Sequence, residues 1–442
     1  SYRVGEGKGP IEAYLDMDDI IRIAKKTGAD AIHPGYGFLS ENPDFAQLCA
    51  DSGITFIGPS PEIMRRLGNK IEARALAIDA DVPVMPATKP LPHDGAEITR
   101  LAGEVGYPLM LKASWGGGGR GMRVIEDESV LLEQVAAARR EAQAAFGNDE
   151  VYLEKLVRNA RHVEVQIMGD AHGQVVHLFE RDCTVQRRHQ KIVERAPAPY
   201  LSQAERDEIS SAAVRLAQSV KYCNAGTVEF LQDVDTGAFY FIEVNPRIQV
   251  EHTVTEQITG LDLVKSQIRI AAGARIGDVD SSGIPAQEDI QMRGAAIQCR
   301  VTTEDPRNNF IPDYGHIVAY RSPAGPGIRL DAGTAYSGAV IGRHYDSLLV
   351  KITASGVSEA EATDRMLRGL SEFRVRGVET NLAFLSALIL NSRFIKGDYN
   401  TRFVDESPEL LELPPDRSHG AQLLHFIGDV IVNGNTQVAG RK

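Results

Sequence analysis

Cysteine is scarce in this sequence. Its four cysteines, Cys49, Cys183, Cys223 and Cys299, are scattered and form no Cys-x-x-Cys pair. That excludes a disulfide framework and a cysteine zinc site, and it suits a reducing compartment. No apolar run reaches about 18 residues, so no membrane span is expected. No signal-peptide pattern opens the chain, which starts at Ser1. The expected location is the cytoplasm, or the mitochondrial matrix in a eukaryote. Basic residues are in deficit: 48 Lys and Arg against 60 Asp and Glu give a net charge of -12. General nucleic-acid binding is therefore not expected. A small anion held by a local group of cations remains open. There is no internal repeat and no low-complexity tract.

What is present is enough chain for two or three domains with real cores: 442 residues, 43% of them hydrophobic. Residues 16–66 alternate helix-like and strand-like signals, with strands expected at 30–33 and 55–58, which is a parallel α/β pattern. One helix is expected to bridge residues 67–83. A lid-like unit at 84–156 would hold strand, glycine loop, strand and a long Ala-rich helix over 128–145. Glycine and proline in Ser281-Ser-Gly-Ile-Pro285 mark a boundary near residue 285. A strand-rich region follows, closed by a helix at 359–373.

Three segments carry chemistry. The first is Glu243-Val-Asn-Pro-Arg-Ile-Gln-Val-Glu-His252, which follows the strand-like Phe239-Tyr-Phe-Ile242. Glu229 lies on a similar strand, Gly226-Thr-Val-Glu-Phe-Leu231, and a turn-rich link joins the two. Antiparallel neighbours joined this way bring Glu229 and Glu243 together. Two carboxylates and the Asn245 amide can hold Mg²⁺ and leave places for water and phosphate.

The second segment is Leu111-Lys-Ala-Ser-Trp-Gly-Gly-Gly-Gly-Arg-Gly-Met122. Its glycines let backbone N–H groups close over phosphate oxygens. They lie between two strands, so the loop is neither a Walker A loop nor a Rossmann turn, both of which open helices. Lys112 just upstream and Lys70 at a helix start strengthen a phosphate-clamp reading over a flexible hairpin tip. The third segment joins Glu154-Lys155, the alternating strand at 161–167, and the basic cluster Gln186-Arg-Arg-His-Gln-Lys191. The strand is expected to be half-buried. The cluster is expected to bind an anion within an active site.

In this order the segments resemble the ATP-grasp enzymes, and most closely the biotin carboxylases. The resemblance runs over about residues 1–400. It rests on His33-Pro-Gly-Tyr-Gly-Phe-Leu-Ser-Glu-Asn42, Lys112 with Gly116 to Gly119, Glu154-Lys155, Arg161-His162, the run from Glu180 to Lys191, and the run from Glu243 to Glu251. It implies an α/β ATP-grasp fold. An incomplete N-terminal doubly wound domain (1–66) would precede an ATP-grasp domain (67–285) with a mobile lid, and a C-terminal biotin carboxylase domain (286–400) would follow. It also implies MgATP-dependent carboxylation of biotin by bicarbonate through carboxyphosphate, with Mn²⁺ as a possible substitute metal.

By the same resemblance, Glu229, Glu243 and Asn245 hold the metal. ATP meets Lys70, Lys112, Gly118, Gly119, Glu154, Lys155, Leu156, Val157, His162, Gln186 and His189, with Glu229 and Glu243 shared. Bicarbonate meets Lys191, Arg247, Gln249, Val250 and Glu251. Glu251 is the expected base, and Arg300 meets the ureido oxygen of biotin.

The tail at 401–442 resembles the linker of pyruvate carboxylases, which leads toward an allosteric domain. This implies later carboxyl transfer to pyruvate, a biotin carrier domain as partner and a homo-oligomer. It also implies acetyl-CoA as an activator, near Arg374, Arg376, Asp416 and Arg417. Two alternatives remain: the subunit of an acyl-CoA carboxylase, and an ATP-grasp ligase joining a carboxylate to an amine. The second would lack the Arg247-to-Glu251 turn and Arg300.

Overall fold

The computed structural model describes residues 1–114, 122–333, 335–412 and 419–433. The N-terminal unit has two short parallel strands, β1 (Ala31–Ile32) and β2 (Thr55–Phe56), paired Ala31 to Thr55. Helices Met17–Thr27 and Pro43–Asp51 pack with them around Ile21, Leu39, Phe45, Cys49 and Ile54. The expected bridging helix is instead two, Pro61–Gly68 and Lys70–Asp79. Asn69 separates them: its backbone is extended, and its side chain accepts from the Ile71 and Glu72 amides. This is an N-cap, and it places Lys70 on the first residue of a helix.

The lid has three antiparallel strands, β3 (Leu109–Ala113), β4 (Arg123–Ile125) and β5 (Val151–Lys155), with β3 in the middle. Helix Leu131–Phe146 closes one face over Leu109, Leu111, Ile125 and Leu153. Trp115 and Gly116 to Gly119 of the glycine loop lie outside the described residues.

The site is built on one eight-stranded sheet. Its strands are β6 (Ala160–Gly169), β7 (Val175–Arg187), β8 (Gln190–Ala196), β9 (Asn224–Asp233), β10 (Phe239–Asn245), β11 (Ala295–Thr302), β12 (Ile328–Ala332) and β13 (Leu348–Gly356). They lie in the order β10-β9-β6-β7-β8-β11-β13-β12, and each neighbouring pair is antiparallel. The sheet therefore runs without a break across the boundary expected near residue 285.

Helix Gln203–Ser219 packs over β6 and β7 with Ile209, Ala213 and Leu216 in the core. Helix Glu359–Glu372 covers β13 and β11 through Ala362, Met366 and Leu370. Strand β6 is not half-buried as its alternation suggests. Glu164 and Gln166 are as deeply enclosed as Val163 and Val165. Its polar residues face other polar groups rather than water. Among the described residues no helix is long and apolar enough to cross a membrane.

Candidate active site

A bulge between Phe241 and Glu243 sets Glu243 directly opposite Glu229 on the β9–β10 pair. Opposed Cβ atoms lie about 5 Å apart, where like charges repel. Burial would raise Glu229, but Lys191 and His162 outweigh it and hold the carboxyl well below the usual range. Burial pushes the Glu243 carboxyl up, Glu229 adds to the shift, and Lys70 offsets only part of it. Glu229 Oε1 accepts from Lys191 Nζ (2.8 Å), Asn245 Nδ2 (2.9 Å) and Gln249 Nε2 (3.0 Å). The Glu243 carboxylate makes no hydrogen bond or ion pair among the described residues. An unpaired carboxyl opposite an ionised one, with an amide on the same strand, is a donor set that suits a hard divalent cation.

Lys191, the second residue of β8, reaches back across the sheet. Its ammonium contacts Glu164 (2.5 Å), Glu229 (2.8 Å) and Glu251 (2.8 Å). Burial would lower this lysine, but those three carboxylates raise it well above its usual value. Two groups of potential metal ligands converge here: His162 with Glu164 and Glu229, and Glu164 with Cys183 and Glu251. The Lys191 ammonium already bridges the carboxylates of both, so neither is a vacant metal site.

Below this network lies Arg181, fully buried on β7. It donates to Glu164 (2.6 Å), Gln166 (2.7 Å), Gln249 (2.9 Å), Thr255 (3.0 Å) and Thr227 (3.1 Å). A buried guanidinium is tolerated when its donors are met in this way.

Glu251 has both oxygens occupied. Oε1 accepts from Lys191 (2.8 Å) and Oε2 from Arg300 Nη2 (3.0 Å). Burial would raise this carboxyl, but Lys191, Arg300 and Arg181 hold it far below the usual range. Arg300 is itself fixed by Glu194, which accepts from its Nε at 2.6 Å. Glu194 accepts also from Gln298 at 2.8 Å. The turn that carries Glu251 is pinned from behind, since Lys351 Nζ donates to the Val250 carbonyl (2.9 Å). His252 Nδ1 lies 2.7 Å from the Gln249 carbonyl, and burial lowers its pKa to about 3.

Arg247 points the other way, to Glu41 of the N-terminal unit at 2.8 Å. Lys112 on β3 pairs with Glu154 on β5. Burial lowers the Lys70 ammonium, partly against the pull of Glu243.

Three family descriptions match consecutive stretches of the chain. Biotin carboxylase, N-terminal domain covers residues 1–64; carbamoyl-phosphate synthase L chain, ATP binding domain covers 69–279; biotin carboxylase C-terminal domain covers 298–406. The biotin carboxylase domain of Hydrogenobacter thermophilus 2-oxoglutarate carboxylase, solved with MgADP, ADP and bicarbonate, is 42% identical. Its TM-score is 0.87, over 92% of this chain and 88% of that one. The chain belongs to the biotin carboxylase family.

Within the family the chain is similar to longer enzymes. Pyruvate carboxylase of Staphylococcus aureus is 52% identical over the whole chain, which spans 38% of that protein's length. A Rhizobium etli pyruvate carboxylase variant, solved with the allosteric activator acetyl coenzyme-A, is 60% identical with a TM-score of 0.91. The match covers all of this chain and 39% of that one.

The sheet brings together Glu229, Glu243, Asn245, Lys191, Gln249, Glu251 and Arg300, as the sequence suggested. His162 joins them through Glu229 (2.9 Å). The basic cluster is split by the β7–β8 turn, where Arg188 and His189 have positive φ. Arg187 and Arg188 turn to Asn309, and Arg187 stacks over Phe310. They line a separate groove of about 680 Å³. His189 is exposed and Gln186 is buried.

Lys155 donates to the Gly106 and Tyr107 carbonyls (2.9 and 2.8 Å), and the Leu156 amide donates to Pro108. Val157 follows β5 in irregular chain. Gly118, Gly119, Asp416 and Arg417 lie outside the described residues. Sequence reasoning missed Glu164, Arg181, Glu194, Lys351 and Glu41. For the four strand residues the available signal was charge on strands; Glu41 lies in a 3₁₀ turn.

Proposed function

We propose that this chain carries out the biotin carboxylase half-reaction: MgATP-dependent carboxylation of biotin by bicarbonate, for later transfer to pyruvate within a longer enzyme. The observation that carries the reading is Glu251 held between Lys191 and Arg300. One carboxylate is shared by two cations, and each cation has its own substrate charge to meet.

Bicarbonate is a poor electrophile, and phosphorylation turns one of its oxygens into a leaving group. Lys70, Lys112 and His162 would receive the ATP phosphates. Glu229, Glu243 and Asn245 would hold Mg²⁺, which neutralises phosphate charge when bound. Lys191, Arg247 and Gln249 would cradle bicarbonate. Glu251 accepts the bicarbonate proton, a general-base role that needs a free carboxylate oxygen. With both oxygens capped, Glu251 is a weak base. Lys191 turning to bicarbonate and Arg300 to the ureido oxygen would release it. Basicity thus rises as the substrates arrive, and fixed cations receive the developing charge.

Pyruvate as final acceptor, a biotin carrier domain and acetyl-CoA activation follow the longer relatives. Arg374 and Arg376 support the last. They flank buried Val375 on a short strand, so both are exposed on one face, fitted to bidentate phosphate binding. A subunit assembly of the kind described for the Hydrogenobacter domain dimer belongs to the same proposal. The function is tested by ADP release from this chain with free biotin. Release should require both bicarbonate and biotin. Equal release without bicarbonate would reject the reading.

A further inference from the structure

We infer that Glu41 is a positioning residue for bicarbonate: from the N-terminal unit it fixes the guanidinium of Arg247. This rests on the function proposed above. Arg247 has five N–H donors. Its Nε meets Glu41 Oε1 (2.8 Å), Nη2 donates to Asn245 Oδ1 (3.1 Å) and Nη1 to the Ile248 carbonyl (3.3 Å). One N–H on each Nη is left for an incoming oxyanion. Of the three contacts, only the one to Glu41 comes from outside the 245–248 turn.

Glu41 is itself well placed to hold a direction. It ends a short 3₁₀ turn, Phe38–Glu41, in which Leu39 and Ser40 are buried. Ser40 Oγ donates to the Gly37 carbonyl at 2.5 Å. Asn42 then caps helix Pro43–Asp51 through the Asp44 and Phe45 amides. The same loop approaches the lysine that holds the other end of the bicarbonate turn. The Tyr36 ring lies 5.4 Å from Lys351 Nζ, and Lys351 donates to the Val250 carbonyl. The N-terminal unit thereby contacts the 247–250 turn directly at Arg247 and reaches Val250 through Lys351.

The Glu41 and Arg247 side chains keep 41% and 21% of their exposure. Such a pair contributes little to stability. Its effect on anion binding has two components of opposite sign. By charge, Glu41 weakens the attraction of Arg247 for an anion. By orientation, it removes the freedom that a long side chain would otherwise lose on binding. The inference is that orientation wins.

The test is Glu41→Gln in the whole chain, assayed with free biotin. The KM for bicarbonate should rise about fivefold, the scale of re-ordering one long side chain. The KM for MgATP and the Tm should stay at wild-type values. Glu41→Asp, which keeps the charge with less reach, should fall between. An unchanged or lowered bicarbonate KM would overturn the inference. So would a rise in both KM values with a falling Tm, which marks a structural role. Wild-type enzyme lacking bicarbonate-dependent ADP release would instead overturn the proposed function, so the two failures are distinguishable.

Discussion

Glu243 stands without a partner while Glu229, directly opposite, has several. That asymmetry gives the metal assignment its content. Glu243→Gln keeps the shape and removes one of two opposed charges. It should abolish turnover at ordinary Mg²⁺ while leaving the Tm unchanged or raised, because a like-charge clash is relieved. Full turnover at ordinary Mg²⁺ would remove Glu243 from the metal site.

His252 gives a pH prediction. Its folded pKa is about 3, against about 6.5 for the unfolded chain. Between those values the unfolded chain binds a proton that the folded chain does not. Stability is therefore full above the unfolded value and falls as pH falls, by about 2 kcal/mol from pH 7 to pH 5. Burial opposes but Glu229 raises His162, whose contribution is full below about pH 6.5 and fades as pH rises above it. His252→Asn should flatten the pH 5–7 slope in denaturant melts; an unaltered slope would contradict the assignment.

At this scale the sequence pointed to the residues proposed to touch substrate, because Glu, Asn, Arg and Glu crowd one short stretch. It hid their supports. Arg181, Glu164 and Glu194 sit on strands that carry other charged residues, where a charge reads as a solvent face.

Strands and turns decide which of those residues meet. The β9–β10 pairing was legible from two apolar runs and a turn-rich link, and it delivers the carboxylate pair. The burial of β6 was not legible. Alternation reports two chemically different faces, and here both are covered. The break at Asn69 was equally invisible in the helical period, since only its cap reveals it.

Arg300 illustrates positioning by an element. It sits on β11 beside β8, and Glu194 of β8 directs its guanidinium. Arg300→Ala should uncouple the two half-reactions. Bicarbonate-dependent ATP cleavage should persist slowly while biotin carboxylation is lost, as read by ADP release against label fixed in biotin. Equal loss of both with weakened ATP binding would make Arg300 a nucleotide or structural residue.

Across the whole molecule, one antiparallel sheet spans the ATP-grasp and C-terminal parts, so Glu229 and Arg300 belong to a single rigid surface. The N-terminal unit completes it through Glu41, while Lys112 pairs with Glu154 within the lid. Regulation belongs to this scale too. In the full-length enzyme, Arg374→Ser with Arg376→Ser should weaken acetyl-CoA activation and leave unactivated biotin carboxylation largely unchanged. An unaltered activation curve would take these arginines out of the activator site.

The central claim is that the site activates bicarbonate by phosphorylating it. Freshly dissolved ¹⁸O-labelled bicarbonate, given with MgATP and free biotin, tests it most directly. Attack by a bicarbonate oxygen on the terminal phosphorus leaves that oxygen in the released phosphate when carboxyphosphate breaks down. The account predicts one labelled oxygen per phosphate and label in the carboxyl group on biotin. Phosphate that carries no label, with biotin still carboxylated, would contradict it.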